Sequence, residues 1–378
     1  MNVPLLDLKA QYATIQEEVE PELLRIARSQ MCILGADVEL LEKNLAKYLK
    51  VKHTIAVSSG SDAILMSLML LGVGPGDEVI LPTFSFFATA GCVARLNAKP
   101  VFVDCEIDSF NIDPNLIEAK ITPNTKAIMP VHLFGQSANM DAIMEIARKH
   151  SIPIVEDAAQ ALGTQYRDGR FVGTIGDLGC YSFYPSKNLG AFGDGGLIAT
   201  NNDEFAVKLK QMRNHGMNPK YYHKFIGGNF RLDAIQAVVL NVKLKYLDNW
   251  HRGRQKNAQL YRKYFEKYGL LQKIVLPKEL YKDSGHPNHH IYNQFTIQVA
   301  KRNELRDYLT QNSIGCDIYY PVPFHRQECF AYLNFNDYEF PVANVLADSV
   351  LSLPIYPELK EEQIEYVVQK IAEFYEKN

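Results

Sequence analysis

Within the stretch SFYPSKNLGAFGDGG (residues 182–196) one lysine stands among small, aromatic and glycine residues. A long stem with a charged head ordinarily sits on a solvated face, so Lys187 reads as an amine with a chemical task. Upstream, IVEDAAQALG places Asp157 and Gln160 at the carboxyl end of an apolar run, where a carboxylate is costly to bury unless a cation or strong donor faces it. The stretch SSGSDAI (residues 58–64) follows a strand-like run and opens a helical one. Free N–H groups and the dipole at such a helix start attract an anion, and Gly60 lets it approach closely. Taken alone, a simple helix cap by Ser59 or Ser61 explains that stretch equally well.

Together, a phosphate cradle, an acid at a strand end and a lysine in a turn just after Ser182 fit pyridoxal 5′-phosphate, whose aldehyde condenses with a lysine and whose ring nitrogen needs a carboxylate. Opposite charges about 3 Å apart attract by roughly 5 kcal/mol at an effective dielectric near ~20, enough to favour a protonated ring nitrogen before desolvation is subtracted. After a substrate amine displaces it, the Lys187 amine can shuttle a proton between substrate carbon and cofactor. In PTFSFFATA (residues 82–90) Phe84, Phe86 and Phe87 follow another strand; one ring could stack on the cofactor, although phenylalanine there is more often core. GGNFRLDAIQA (residues 227–237) sets Asn229 and Arg231 ahead of a helix, where a polar pair suits either a phosphate contact or helix capping.

These residues need a scaffold that gathers strand ends. Between residues 54 and 157 the runs HTIAV, EVILP, PVFVDC, KAIMPVHLF and IPIVEDA alternate with helical stretches such as 62–71 and 140–149, the pattern of a mostly parallel sheet covered on both faces. Ligands in such sheets bind at the carboxyl ends of the strands. Two closely spaced runs after Tyr181, GCYSFY and GGLIATN, make a mixed sheet the expectation. The period of VVLNVKLKYL predicts one long helix over 232–265. NQFTIQV, a helix at 303–312, CDIYY and a terminal helix at 361–376 then read as a small α/β domain. The expected division is a large cofactor-binding domain at 1–247 and a small domain at 248–378.

Composition bounds the partners. With 40 Lys and Arg against 43 Asp and Glu, a formal charge of −3 gives no electrostatic reason to expect nucleic acid. Six scattered cysteines without a C-x-x-C pair argue against a zinc site or disulfide framework and fit a reducing cytoplasm. The most apolar stretch, residues 63–73, is shorter than the ~20 residues of a membrane span, and MNVPLLDLKAQY lacks a cationic head followed by an apolar run. A soluble cytoplasmic protein with a small-molecule partner is expected.

The motifs LDLKAQY, SSGSDAI, PTFSFFATA, KPVFVD, VHLFG, IVEDAAQALG, SFYPSKNLGAFGDGG, NHG and GNFRLDAIQA, in this order, closely resemble the DegT/StrS family of pyridoxal-phosphate-dependent nucleotide-sugar aminotransferases over nearly the whole chain. The resemblance implies an aspartate-aminotransferase-like fold and a homodimer whose two active sites lie at the subunit interface. It implies Lys187 as the Schiff-base lysine, Asp157 as partner of the ring nitrogen, Gln160 near the phenolic oxygen and Phe86 as the stacking ring. Gly60, Ser61 and Ser182 match phosphate-binding positions, and Asn229 one that reaches across from the other subunit. A lysine at 187 departs from the family's sugar 3-dehydratases, which carry histidine there. CDIYYPVPFHRQ (residues 316–327) resembles the segment that contacts the sugar, and its pattern is similar to that of members that aminate C3. Arg231, Tyr319, Tyr320, His325 and Tyr184 are the substrate-side candidates, with Tyr319-Tyr320 where many relatives have His-Tyr. The implied reaction uses an amino acid, glutamate by expectation, to aminate a UDP- or dTDP-linked 3-keto sugar for polysaccharide or glycoconjugate synthesis. The alternatives are C4 amination, a non-catalytic pyridoxal-phosphate-binding regulator, and a desulfurase, which would need a reactive cysteine.

Other features carry less. GVGPGD (residues 72–77) precedes a strand where a dinucleotide loop would open a helix. HPNHH (residues 286–290) lacks a helical i, i+4 pair and reads as a surface loop without metal. KYYHK (residues 220–224) is one basic-aromatic cluster on a net-acidic chain and makes no nucleic-acid site.

Overall fold

A computed structural model describes residues 1–377. Helices α1 (Leu8–Ala13), α2 (Gln16–Ser29) and α3 (Ala36–Leu49) precede β1 (His53–Val57) and α4 (Gly60–Leu70). There follow β2 (Glu78–Pro82), α5 (Ala88–Arg95), β3 (Lys99–Val103), β4 (Thr125–Ile128), α6 (Met140–His150) and β5 (Val155–Asp157). β5 pairs in parallel with β6 (Leu178–Ser182), which pairs antiparallel with β7 (Gly196–Thr200), and β7 pairs antiparallel with β1. On the other side β2 pairs in parallel with both β3 and β4. Parallel bridges Ile128 to Ile154 and Val131 to Asp157 join the two halves, so the order is β3-β2-β4-β5-β6-β7-β1 with β7 alone reversed. The expected mixed, mostly parallel sheet is thus the observed one.

The residue types explain why it is buried on both faces. All of EVILP in β2 and GLIAT in β7 is buried, the continuous apolar pattern of a covered strand. Helix α4, GSDAILMSLML, is apolar nearly all round and packs between the sheet, α5 and α7 (Asp203–Met212). The opposite face packs against residues of α3, α6 and α8 (Ala234–Leu244).

The single helix expected over 232–265 is two, α8 and α9 (Leu247–Lys267). The amides of Lys245 and Tyr246 bond the carbonyls three residues back, tightening the chain between them. Each piece then buries its own stripe: α8 lies against α2 and α3, and α9 against α12 (Glu361–Lys377). A period that continues through Leu247 cannot reveal that its two halves face different cores. The second core joins α9, α10 (Arg302–Gln311) and α12 to a sheet ordered β10-β9-β8 from β8 (Ile274–Val275), β9 (Phe295–Val299) and β10 (Val350–Leu353), the last following α11 (Pro341–Ser349). CDIYY contributes only a bridge from Asp317 to Ser352 before the chain turns toward the large sheet. Nor is HPNHH wholly superficial: the His290 ring is buried, stacked 3.9 Å from Tyr292, and burial pushes its pKa down to about 3. Among the described residues no helix is long and apolar enough to cross a membrane.

Candidate active site

The carboxyl ends of β1, β2, β4, β5 and β6 share one edge of the sheet, and a cavity of about 500 Å³ opens there. It is lined by Gly60 and Ser61 after β1, Phe86 after β2, Asp157 and Gln160 after β5, and Ser182, Tyr184 and Lys187 after β6. Tyr319 and Tyr320 close it from the C-terminal part of the chain. Ten of the residues singled out in the sequence therefore meet around one space. Phe86 is the ring of its trio that lines the cavity, whereas Phe84 is core and Phe87, also exposed, stacks on Phe330.

At the start of α4 the Ser59 hydroxyl accepts from the Asp62 amide at 3.0 Å, capping the helix as its type favours. The capping reading and the anion reading are compatible here, because Gly60 and Ser61 still line the cavity at the positive end of an eleven-residue helix. A Cβ at Gly60 would come within 2.7 Å of the Ser182 Cβ, so only glycine lets the two strand ends close into a cradle.

Asp157 is 5% exposed, and its two oxygens are each held. Thr89 Oγ1 donates to Oδ2 at 2.8 Å and the Ala159 amide to Oδ1 at 3.2 Å. Burial raises its pKa, against the bonds from Thr89 and Ala159 and the charges of Lys187 and His132. Its neighbour Glu156 points away from the cavity and accepts from the amides of Gly173, Ile175 and Gly176 and from His132 Nε2. That set anchors the strand end bearing Asp157. Gln160 is oriented just as firmly: Oε1 accepts from the Phe134 amide at 2.7 Å, which leaves Nε2 to donate to the Tyr320 hydroxyl at 3.2 Å.

Lys187 sits in a turn closed by its own amide on the Tyr184 carbonyl at 2.8 Å. Gly190 packs so tightly that a Cβ would lie 2.3 Å from the Pro185 oxygen, and Lys243 Nζ donates to the Gly190 carbonyl at 2.6 Å. Asn188 donates to the Ile291 carbonyl and accepts from Asn293, fastening the turn to the chain before β9. The Lys187 ammonium has no hydrogen-bond or ion-pair partner within reach among the described residues; burial pushes its pKa down to about 8, with the Asp157 charge opposing. A cradle for phosphate, a lone reactive amine and a held carboxylate fit pyridoxal 5′-phosphate.

Three candidates lie elsewhere. The His325 ring bonds Thr83 Oγ1 at 2.8 Å and Asn344 Oδ1 at 3.0 Å and stacks on Phe340 at 4.3 Å. Both nitrogens are satisfied in the core, so it does not reach the cavity, and this corrects its placement on the substrate side. Arg231 lines an adjoining hollow with Ser59 and Asp194, and its Nη1 donates to Asn214 Oδ1 at 2.6 Å. Asn229 is exposed, bridged to Asn214. Two features of the site, Thr89 behind Asp157 and Gln294 in the cavity wall, were missed from the sequence. Thr89 was legible as a polar residue inside the apolar PTFSFFATA; Gln294 gave no signal, because NQFTIQV reads simply as a strand.

This sheet and site define a pyridoxal-phosphate-dependent enzyme of the aspartate-aminotransferase-like fold. Residues 13–372 match the DegT/DnrJ/EryC1/StrS aminotransferase family. The chain is 49% identical over 99% of both lengths to a pleiotropic regulatory protein of Geobacillus stearothermophilus. It is 43% identical to a UDP-N-acetyl-3-dehydro-α-D-glucosamine 3-aminotransferase of Acidithiobacillus ferrooxidans, covering 96% of this chain and 95% of that one. The crystal structure of Streptomyces venezuelae DesV with a reaction intermediate is similar at a TM-score of 0.92, with 40% identity over 99% of both chains. The chain belongs to the DegT/DnrJ/EryC1/StrS aminotransferase family, and its cofactor is pyridoxal 5′-phosphate.

Proposed function

We propose that the protein transfers an amino group from glutamate to C3 of a UDP- or dTDP-linked 3-keto sugar. The observation that carries this reading is the unpartnered Lys187 amine facing the same cavity as the buried Asp157. The cofactor, when bound, supplies the electron sink that stabilises negative charge at the substrate carbon. The chain supplies the rest. The α4 amides at Gly60 and Ser61 and the Ser182 hydroxyl would hold the phosphate, Asp157 would keep a proton on the ring nitrogen, and Gln160 would serve the phenolic oxygen. Phe86 would stack on the ring. The Lys187 amine would take the proton from the donor's carbon and, in the second half of the reaction, give one to the sugar carbon.

Tyr184, Tyr319 and Tyr320 form an aromatic mouth suited to a sugar. Asn229, exposed and away from its own chain's cavity lining, is assigned to the site of a second copy in a homodimer with shared sites, and Arg231, in the hollow with Ser59 and Asp194, to the substrate side. The assignment to C3 rests on the relative from Acidithiobacillus and on the Pro-x-Pro-x-His-x-Gln stretch. The division at 247/248, a cytoplasmic setting and a role in polysaccharide or glycoconjugate synthesis belong to the same reading. A regulatory role is favoured by the name of the Geobacillus relative; amine transfer to a panel of keto sugars separates the two. Lys187→Ala is expected to abolish turnover and the visible absorption of lysine-bound cofactor. Full activity in that variant would overturn the assignment.

A further inference from the structure

Beside the main cavity, and sharing Ser186, Gln294 and Tyr319 with it, lies a side chamber of about 110 Å³. Its far wall is apolar, made by Leu5, Leu6, Leu353 and Ile355. At the seam stands Gln294, whose Oε1 is buried with no hydrogen-bond partner. A buried amide oxygen left unbonded is destabilising, so it is a feature that wants a ligand donor. The backbone around it is held in place. The Asn293 amide donates to the Phe134 carbonyl at 2.9 Å, and Arg254 Nη1 grips the carbonyls of Tyr292 and Asn293 at 3.0 and 3.2 Å.

The occupant is small, neutral and part apolar. A chamber of about 110 Å³ has the room of roughly three to four waters at ~30 Å³ each, the size of an amide with a methyl group. Arg254 lines it, but its charge is faced by Glu358 and its Nη1 is engaged by backbone carbonyls, so no uncompensated charge calls for an anion. Ser186, adjacent to Lys187, lines both spaces, so the chamber opens beside the lysine turn.

We propose that this side chamber receives an acetamido substituent on the sugar carbon next to the one aminated, with Gln294 Oε1 accepting its N–H and the leucines enclosing its methyl. The proposal rests on the nucleotide-sugar reading and makes Gln294 a specificity-determining residue. The test compares kcat/KM for two UDP-linked 3-keto sugars that differ only in bearing acetamido or hydroxyl at C2. The native enzyme is expected to favour the acetamido sugar at least about tenfold. Gln294→Ala, and Leu6→Phe, which narrows the chamber from its half-exposed wall, should each lower that ratio about tenfold, with cofactor absorption verifying the fold of each variant. Equal use of both sugars by the native enzyme, or an unchanged ratio in both variants, overturns the inference while leaving the aminotransferase reading intact. Amination of neither sugar overturns both.

Discussion

Lys187 and Asp157 face one cavity with opposite needs. Burial holds the Lys187 ammonium at a pKa of about 8, below that of an ordinary lysine, while the charge of Asp157 opposes the shift. Only the neutral amine accepts a proton, so the working form is scarce near neutrality and grows as pH rises through about 8. Capture of added cofactor by the apoenzyme, which also needs the neutral amine, should therefore accelerate severalfold between about pH 7 and ~8.5 and then level off, followed by absorbance; a flat profile would contradict it. Thr89 works one step back, lowering the pKa of a carboxyl that burial raises. Thr89→Val removes that donor, so Asp157 holds its own proton more readily and the ring nitrogen loses its anionic partner. We expect kcat to fall about tenfold with cofactor still bound, read by steady-state kinetics alongside cofactor titration.

At the scale of elements, the site is an edge where strand ends converge, and its precision depends on how closely they approach. The start of α4 meets the end of β6 with Gly60 against Ser182. Gly60→Ala would push a methyl to within 2.7 Å of the Ser182 Cβ, so one strand end must shift and the cradle opens. The expected result is cofactor affinity reduced by about tenfold or more, measured by titrating the apoenzyme, with a smaller change in thermal stability. The Lys187 turn is held from a different direction, by Asn188 and Asn293 and by Lys243 under Gly190. Its neighbours therefore come from α8 and from the chain before β9, neither adjacent in sequence.

At the scale of the whole molecule, a homodimer with shared sites has a consequence that a self-sufficient monomer lacks. If Asn229 serves the partner's cavity, then Lys187→Ala and Asn229→Ala damage different chains of the same site. Unfolding and refolding the two variants together should yield mixed dimers with one intact site each. About a quarter of native sites are then restored under random C2 pairing, although each variant alone is nearly inactive. Activity no higher than the average of the two separate variants would place Asn229 in its own chain's site.

Much of this was legible in the residues themselves. Apolar runs separated by helical periods dictated a covered parallel sheet, and the residue types of Lys187, Asp157 and the Gly60 helix start dictated pyridoxal-phosphate chemistry, because burial cost and anion affinity are properties of local sequence. What only the tertiary structure decided are the meetings between distant segments. Local pattern could not show that His325 finds Thr83 and Asn344 and so leaves the cavity. Nor could it show that Gln294 turns an amide into the cavity wall, or that one helical period breaks at Lys245 and Tyr246 to serve two cores. Periodicity records which face of an element is buried; what it is buried against depends on packing partners tens to hundreds of residues away.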